Sequence, residues 1–427
     1  MLREFRVKNF LSFKDSVTFS MVAAPISGLG DRNIAVIDAM NLKLLKSSVV
    51  YGANASGKSN LLKAMGFMRR FVLDSSKEMQ AAEAINVENF RLSSETEGKP
   101  SFFEISFICD SKKFRYGFEI DQNGVHAEWL FFVPSRTEAT LFTRKNDDIK
   151  ISTKYFSEGK GLQNKTRPNA LFLSVVAQFN GELSTKILKW FMVFNLISGI
   201  NDRHYMGYTL AQLENDQFKK KFLKYLRVAD FGIHGIQLKK MMVKFSELPE
   251  SMKILFPGKT SDVEEIEGTS TEVMHLKYDK DNNPISTEAF DFDALESEGT
   301  KKFWGLFGPL IHTLENGSIL VVDELDARLH PKITQFIIEL FHSKQTNPKN
   351  AQFIFATHDT NFLTNRLFRR DQIWFTEKDE YGATDLYSLV EFKIRKDASF
   401  EKDYIQGKYG AIPFIGDVEA LLGELHE

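Results

Sequence analysis

Gly52-Ala53-Asn54-Ala55-Ser56-Gly57-Lys58-Ser59 reads G-x-x-x-x-G-K-S, the spacing of a phosphate-binding loop. Its flanks decide the fold. Ser48-Val49-Val50-Tyr51 is a β-branched and aromatic run, which predicts a buried strand entering the loop. Leu61, Leu62, Met65, Met68 and Val72 recur at helical spacing, which predicts a helix leaving it. Strand, loop and helix in that order aim free backbone N–H groups and the positive end of a helix at an anion. Gly52 and Gly57 let the backbone turn and come close to phosphates. Lys58 is the candidate contact for the β- and γ-phosphates and Ser59 the candidate ligand for Mg²⁺. Ala53, Asn54, Ala55, Ser56 and Asn60 complete the candidate binding stretch for ATP.

A second set of motifs lies far downstream. Ile319-Leu320-Val321-Val322 is a continuous apolar run ending in Asp323-Glu324. Such a run reads as a strand buried on both faces of a parallel sheet. Carboxylates at its C-terminal edge stand where open α/β sheets bind ligands. Asp323 is the candidate for the Mg²⁺ shell, and Glu324 for orienting and deprotonating an attacking water. After Asp326 and Leu329-His330, Pro331 opens a helical pattern carrying Ile333, Phe336, Ile337, Leu340 and Phe341. A second buried strand, Ala351–Ala356, ends in Thr357-His358-Asp359, and His358 is a candidate donor to a γ-phosphate oxygen.

Upstream of the acidic run, Ser297 and Gly299 stand where a helix begins with Phe303, Leu306, Phe307, Leu310 and Leu314, and Gly308-Pro309 predicts a kink in it. Together they form a second anion-binding helix end. One nucleotide has one γ-phosphate, and the first loop already holds it. The second end is accounted for if it serves the nucleotide of a second subunit.

Bulk composition narrows the class. The chain has 427 residues, 43% of them hydrophobic and 26% charged, which is ordinary for a soluble globular protein of two or three units. A net charge of -2 gives no global field toward nucleic acid or a membrane surface. The lone Cys109 excludes an intramolecular disulfide and fits a reducing cytoplasm; it ends an apolar strand pattern, where a small core residue is expected. No secretory leader is read at Met1-Leu2-Arg3-Glu4. The longest apolar stretch, Ile187 to Ile200, carries Lys189 and Asn195 and is too short to span a bilayer. The 39 phenylalanines are expected in cores.

Three segments follow from this patterning: 1–180, with the phosphate loop and an antiparallel β subdomain; 181–260, a helical insertion; and 261–427, with the acidic strand and His358. Residues 2–20 predict a strand pair and 21–33 a loop. Alternation through 101–151, with Asn123-Gly124 between two runs, predicts an antiparallel meander with one wet face. Residues 184–245 read as helical. Lys219, Lys220, Lys221, Lys224, Arg227, Lys239, Lys240 and Lys244 make the densest basic region, read as a solvated helix face with a nucleic-acid or acidic-partner patch as the alternative. Residues 257–270 read as a loop, and 272–290 as a hairpin around Asp281-Asn282-Asn283-Pro284. Asp291-Phe292-Asp293 is a D-x-D pair read as loop.

Taken in order, the phosphate loop, Ser297-Glu298-Gly299, Asp323-Glu324, Asp326 with Leu329-His330-Pro331, and His358 resemble the ABC-type ATPase heads of the SMC, RecF and OLD lineage. The resemblance implies an α/β P-loop ATPase head that pairs with another head, sandwiching two ATP between phosphate loop and opposing signature, as a dimer or larger homo-oligomer. The signature here, Glu-Ser-Glu-Gly-Thr, lacks the usual leucine before the serine, and for the Q-loop glutamine both Gln163 and Gln178 are candidates. The tail, Glu401 to Pro413, resembles the close of bacterial ATPases of the RloA and AbiL type, related to the ATPase subunit of the PARIS anti-phage system. That implies a cytoplasmic sensor or scaffold in antiviral defence or abortive infection, with a separately encoded nuclease-like effector. The alternative is a DNA-repair or recombination ATPase that clamps DNA. The long insert argues against a transporter motor, and the 69 residues after His358 are too few for the TOPRIM domain of a self-contained OLD-type nuclease.

Overall fold

The apolar runs that flank the phosphate loop become neighbours in one sheet. In the computed structural model, which describes residues 1–80, 83–200, 203–244, 265–395 and 398–413, six strands lie in the order Phe194–Ser198, Ile319–Asp323, Gln352–Ala356, Ser47–Tyr51, Ile373–Lys378, Thr384–Ser388. The first five are parallel, and Thr384–Ser388 closes the edge antiparallel to its neighbour. Ser47–Tyr51 and Gln352–Ala356 are buried at every residue, as expected of central parallel strands covered on both faces. The loop strand stands beside the strand that ends at His358, and the acidic strand stands one further out. Register therefore brings three separated motifs to one sheet end.

Helix Lys58–Asp74 leaves the loop and buries Leu61, Leu62, Met65, Met68 and Val72 together with Phe67 and Phe71. Full burial of each such side chain is worth about 1.5–3 kcal/mol. The other side of this helix meets a seven-stranded sheet ordered Asp148–Ile151, Ala139–Lys145, Val125–Val133, Lys112–Ile120, Ser101–Cys109, Leu2–Lys8, Val17–Ser20. The predicted opening strand pair and the predicted meander are thus one antiparallel sheet, joined where Leu2–Lys8 pairs with Ser101–Cys109. Phe67 stacks on Phe103 at 5.1 Å, and Phe71 meets Phe118 at 5.5 Å. The outer face of the meander is less wet than alternation suggests. Glu104 is buried there, accepting from Arg115 Nη1 at 2.7 Å, Trp129 Nε1 at 2.9 Å and Arg6 Nη1 at 3.2 Å.

The chain divides into two compact units. One comprises Met1–Ile200, Ile311–Ala327 and Thr334–Glu427; the other comprises Asn201–Leu310 and Arg328–Ile333. The second unit corrects the helical reading of 184–245. Helices Arg203–Gln212 and Asp216–Val228 are present, but Gly235–Lys244 is a strand, so Lys239, Lys240 and Lys244 do not extend a basic helix. Lys239 is paired with Glu272 at 2.6 Å across that sheet. Earlier, in the first unit, Phe194–Ser198 inside the long apolar stretch is an edge strand of the parallel sheet. β-branched and long apolar residues serve either element, and strand partners decided these cases.

The loop expected at 257–270 is a strand from Glu265 onward, running to Tyr278; its earlier residues, through 264, lie outside the described set. Pro284–Asp291 pairs back along it, as the predicted hairpin requires. Asp291 caps the short helix Phe292–Leu295, accepting from Ala294 N at 2.7 Å, so the D-x-D pair is a helix start. Phe222 and Phe292 pack against Trp304 in this unit's core, with Phe222–Trp304 centroids 4.7 Å apart, and Phe307 stacks on Phe222. Pro309 lies within helix Glu298–Asn316 and removes the donor that Gly305 O would otherwise meet. Thr209 Oγ1 supplies it, donating to Gly305 O at 2.9 Å and accepting from Gly308 N at 3.1 Å. Among the described residues, no helix is long and apolar enough to cross a membrane.

Candidate nucleotide site

Gly52 has φ +153° and Gly57 φ +116°. A Cβ at Gly52 would strike Ser56 Oγ and both the carbonyl and hydroxyl of Thr376; one at Gly57 would strike the side chain of Thr384. Glycine is therefore required on conformational and steric grounds at both ends of the loop. Gly57 caps helix Lys58–Asp74 with no side chain bonded over that end, so its first N–H groups remain available to an anion. Ala53, Asn54 and Ala55 form the outer rim, Asn54 and Ala55 being exposed, and Ser59 and Asn60 are half-buried on the first helical turn.

The Lys58 ammonium lies across the loop, donating to Gly52 O at 2.8 Å and Ala53 O at 3.0 Å. Burial pulls its pKa down from 10.5 to about 8, against the opposing pull of Asp323, Glu324 and Asp326. These carboxylates follow the acidic strand. Asp323 Oδ1 and Asp326 Oδ1 are buried with no hydrogen-bond partner among the described residues. A buried carboxylate oxygen without a donor is costly, and a divalent cation beside a phosphate is the chemistry that satisfies it. The orphaned Asp323 oxygen thus has the chemistry to take a Mg²⁺ ion.

Glu324 has φ +51°, a left-handed conformation uncommon for this residue. Two contacts hold the turn. Gly199 N donates to Asp323 O at 2.6 Å, and a Cβ on Gly199 would collide with the carbonyl oxygens of Asp323 and Glu324. Leu325 N donates to Ala356 O at 3.1 Å, tying the acidic turn to the neighbouring strand. His358 lies exposed just past that strand. Its pKa is lowered by partial burial and by the Lys58 ammonium, with Asp326, Glu324 and Asp323 opposing. The turn after it is capped by Asp359, which accepts from Asn361 N at 2.9 Å; His358 is not the cap. Tyr51 OH donates to Asp359 O at 3.1 Å, so the residue before Gly52 also anchors the residue after His358.

In the second unit, Ser297 caps helix Glu298–Asn316, accepting from Thr300 N at 3.1 Å. Gly299 lies against Arg328 O, where a Cβ would be 2.9 Å away, and Arg328 Nη1 donates to Glu298 at 3.0 Å. The signature segment and the residue two past Asp326 are thus neighbours. Of the Q-loop candidates, Gln163 Oε1 accepts from Gly161 N in its own turn at 2.9 Å, and Gln178 is exposed at the end of helix Phe172–Gln178.

Sequence reasoning missed four residues here: Ser12, Gly199, Thr376 and Thr384. Only Gly199, a glycine just after an apolar run, carried a local signal. Thr376 Oγ1 lies 2.7 Å from Ser56 Oγ, and Thr384 Oγ1 donates to Ser56 O at 2.9 Å. Neither threonine sits in a recognisable motif.

The chain is similar to the "Retron Vc95 probable ATPase" of Vibrio cholerae serotype O1 biovar El Tor, 22% identical over 387 residues that span 78% of this chain and 71% of that protein. Among solved structures it is similar to the SMC head domain from Thermotoga maritima, at 13% identity and a TM-score of 0.42, covering 92% of this chain and 99% of that one. A family model described as "AAA domain, putative AbiEii toxin, Type IV TA system" matches residues 47–364, from the strand before the phosphate loop to just past His358. The protein is an α/β P-loop ATPase that belongs to this AAA-domain family.

Proposed function

We propose that the protein binds Mg²⁺-ATP on Gly52–Asn60, hydrolyses it with Glu324, and uses the bound state to control a separately encoded nuclease-like effector in anti-phage defence. One observation carries the nucleotide part: Lys58, the carboxylates of Asp323 and Asp326, each with its Oδ1 buried and unpartnered among the described residues, and His358 converge at one end of the parallel sheet. Lys58 leaves the carbonyls of Gly52 and Ala53 and turns to the β- and γ-phosphates. Ser59 and Asp323 would hold a Mg²⁺ ion, which would supply neutralisation of the phosphate charge. Glu324, aimed by its left-handed turn, orients a water and takes its proton. His358 donates to a γ-phosphate oxygen.

Ser297 and Gly299 give the reading its second half. They present a helix start to the nucleotide of a second copy, so ATP joins two heads into a dimer or larger homo-oligomer. The defence role is supported by the resemblance of the tail, Glu401 to Pro413, to RloA- and AbiL-type ATPases and by the family's toxin–antitoxin description. The deciding experiment is recovery of the Glu324→Gln protein from its host with Mg²⁺-ATP present. A stoichiometric nuclease-like partner is the expected result. DNA recovered with recombination proteins and no such partner would replace this reading with a DNA-clamping repair ATPase.

A further inference from the structure

The two glycines of the phosphate loop rest on two threonines, both from the hairpin Ile373–Ser388, which lies beyond the family-matched residues 47–364. Thr376 occupies the space a Cβ at Gly52 would need, and Thr384 does the same at Gly57. Both are buried. Thr384 Oγ1 lies 2.9 Å from Ser56 O and 2.8 Å from Ser12 Oγ. A hydroxyl has one proton, and a carbonyl cannot donate. Thr384 Oγ1 is the donor in both contacts, sharing its proton between Ser56 O and Ser12 Oγ, and Ser12 Oγ also accepts from Asn60 Nδ2 at 2.8 Å. Asn60 and Thr384 thus meet on the Ser12 hydroxyl, beside the Ser56 carbonyl.

Thr376 repeats the arrangement at the other glycine, donating to Tyr51 O at 3.3 Å and accepting from the Ser56 hydroxyl at 2.7 Å. A trans peptide points its N–H opposite its C=O. Holding the carbonyls of Tyr51 and Ser56 therefore aims the N–H groups of Gly52 and Gly57 away from the threonines. We propose that Thr384 is a positioning residue for nucleotide phosphates, setting the Gly57 N–H through the Ser56 carbonyl, with Ser12 and Asn60 fixing its hydroxyl. The inference rests on the nucleotide reading above. It makes the hairpin past residue 364 part of the binding apparatus, and Thr384 N, donating to Ser12 O at 2.7 Å, locks it to the N-terminal loop.

The test is calorimetry of Mg²⁺-ADP on wild type, Thr384→Val, Thr384→Ser, Ser12→Ala and Lys58→Ala, with melting temperatures taken without nucleotide. Thr384→Val keeps the volume and loses the hydroxyl, so it is expected to weaken binding about five- to tenfold, the worth of one hydrogen bond. Its nucleotide-free melting temperature should stay near wild type, and its kcat at saturating ATP should change less than its KM. Thr384→Ser restores affinity, and Ser12→Ala reproduces a smaller part of the loss. Binding by Thr384→Val within twofold of wild type overturns the proposal, as does Thr384→Ser binding no better than valine. Should the valine variant fail to fold, wild-type affinity in folded Ser12→Ala overturns the proposal. Wild type and Lys58→Ala that both bind nothing would instead refute the nucleotide reading itself.

Discussion

Lys58 ties nucleotide affinity to pH in a way that can be worked out beforehand. In the free protein its ammonium is held near a pKa of about 8, because burial outweighs the attraction of Asp323, Glu324 and Asp326. A bound polyphosphate adds negative charge within reach of that ammonium and raises its pKa back toward or above 10.5. The nucleotide-bound state therefore holds the proton more tightly than the free state. Affinity is full well below pH 8 and falls as pH rises through the free-state pKa. Lys58 is about three-quarters protonated at pH 7.5 and about one-thirtieth at pH 9.5, so affinity should drop roughly 25-fold between them. At pH 8 binding should take up about half a proton. Calorimetry of Mg²⁺-ADP in two buffers of different ionisation enthalpy measures both quantities, and Lys58→Ala should abolish the uptake along with most of the affinity. Wild-type affinity that stays flat to pH 9.5, with no proton uptake at pH 8, would show that Lys58 does not meet the phosphates.

The other expectations concern separate parts of the site. Glu324→Gln should bind Mg²⁺-ATP near normally while phosphate release falls by about 10²–10⁴-fold, the usual worth of a general base; a wild-type rate would remove Glu324 from the chemistry. Asp323→Asn should lose most of the difference between ATP affinity with Mg²⁺ and with chelator, and an undiminished difference would assign the metal elsewhere. Ser297→Arg should still bind ATP but neither associate nor turn over, as read by light scattering and phosphate release; a variant that does both would end the two-copy argument.

What could be read beforehand was chemistry carried by contiguous residues. The phosphate loop, the acidic strand and the strand before His358 each declare themselves by an apolar run ending in polar groups, because a strand buried on both faces leaves only its end free for function. The Asn123-Gly124 hairpin was legible for a similar reason, a turn being local. Gly235–Lys244 was not. Its Leu238, Met241 and Val243 suit helix or strand alike, and pairing with Glu265–Tyr278 settles the matter across the twenty residues between the strands. The same holds for Phe194–Ser198, a strand only because Ile319–Asp323 lies beside it.

Thr376 and Thr384 fall on the illegible side for a deeper reason. A phosphate loop is usually explained by what its own residues do: glycines that turn, a lysine that reaches, a serine that binds metal. Here neither glycine is free to turn as it pleases, since each backs onto a threonine that would collide with any other residue. The conformation is imposed from outside the motif, by a hairpin over 300 residues later in the chain, and in part by Ser12 from before it. Binding energy is not spent ordering a loop already ordered, which is the general advantage of preorganisation. The same argument explains Glu324. A non-glycine residue at φ +51° costs about 1–3 kcal/mol and persists only where neighbours over-determine it. Gly199 on one side and Ala356 on the other do so, through bonds to Asp323 and Leu325. Substituting Gly199 by alanine should therefore impair turnover without touching any candidate catalytic group, because the acidic turn would have to move to admit the methyl.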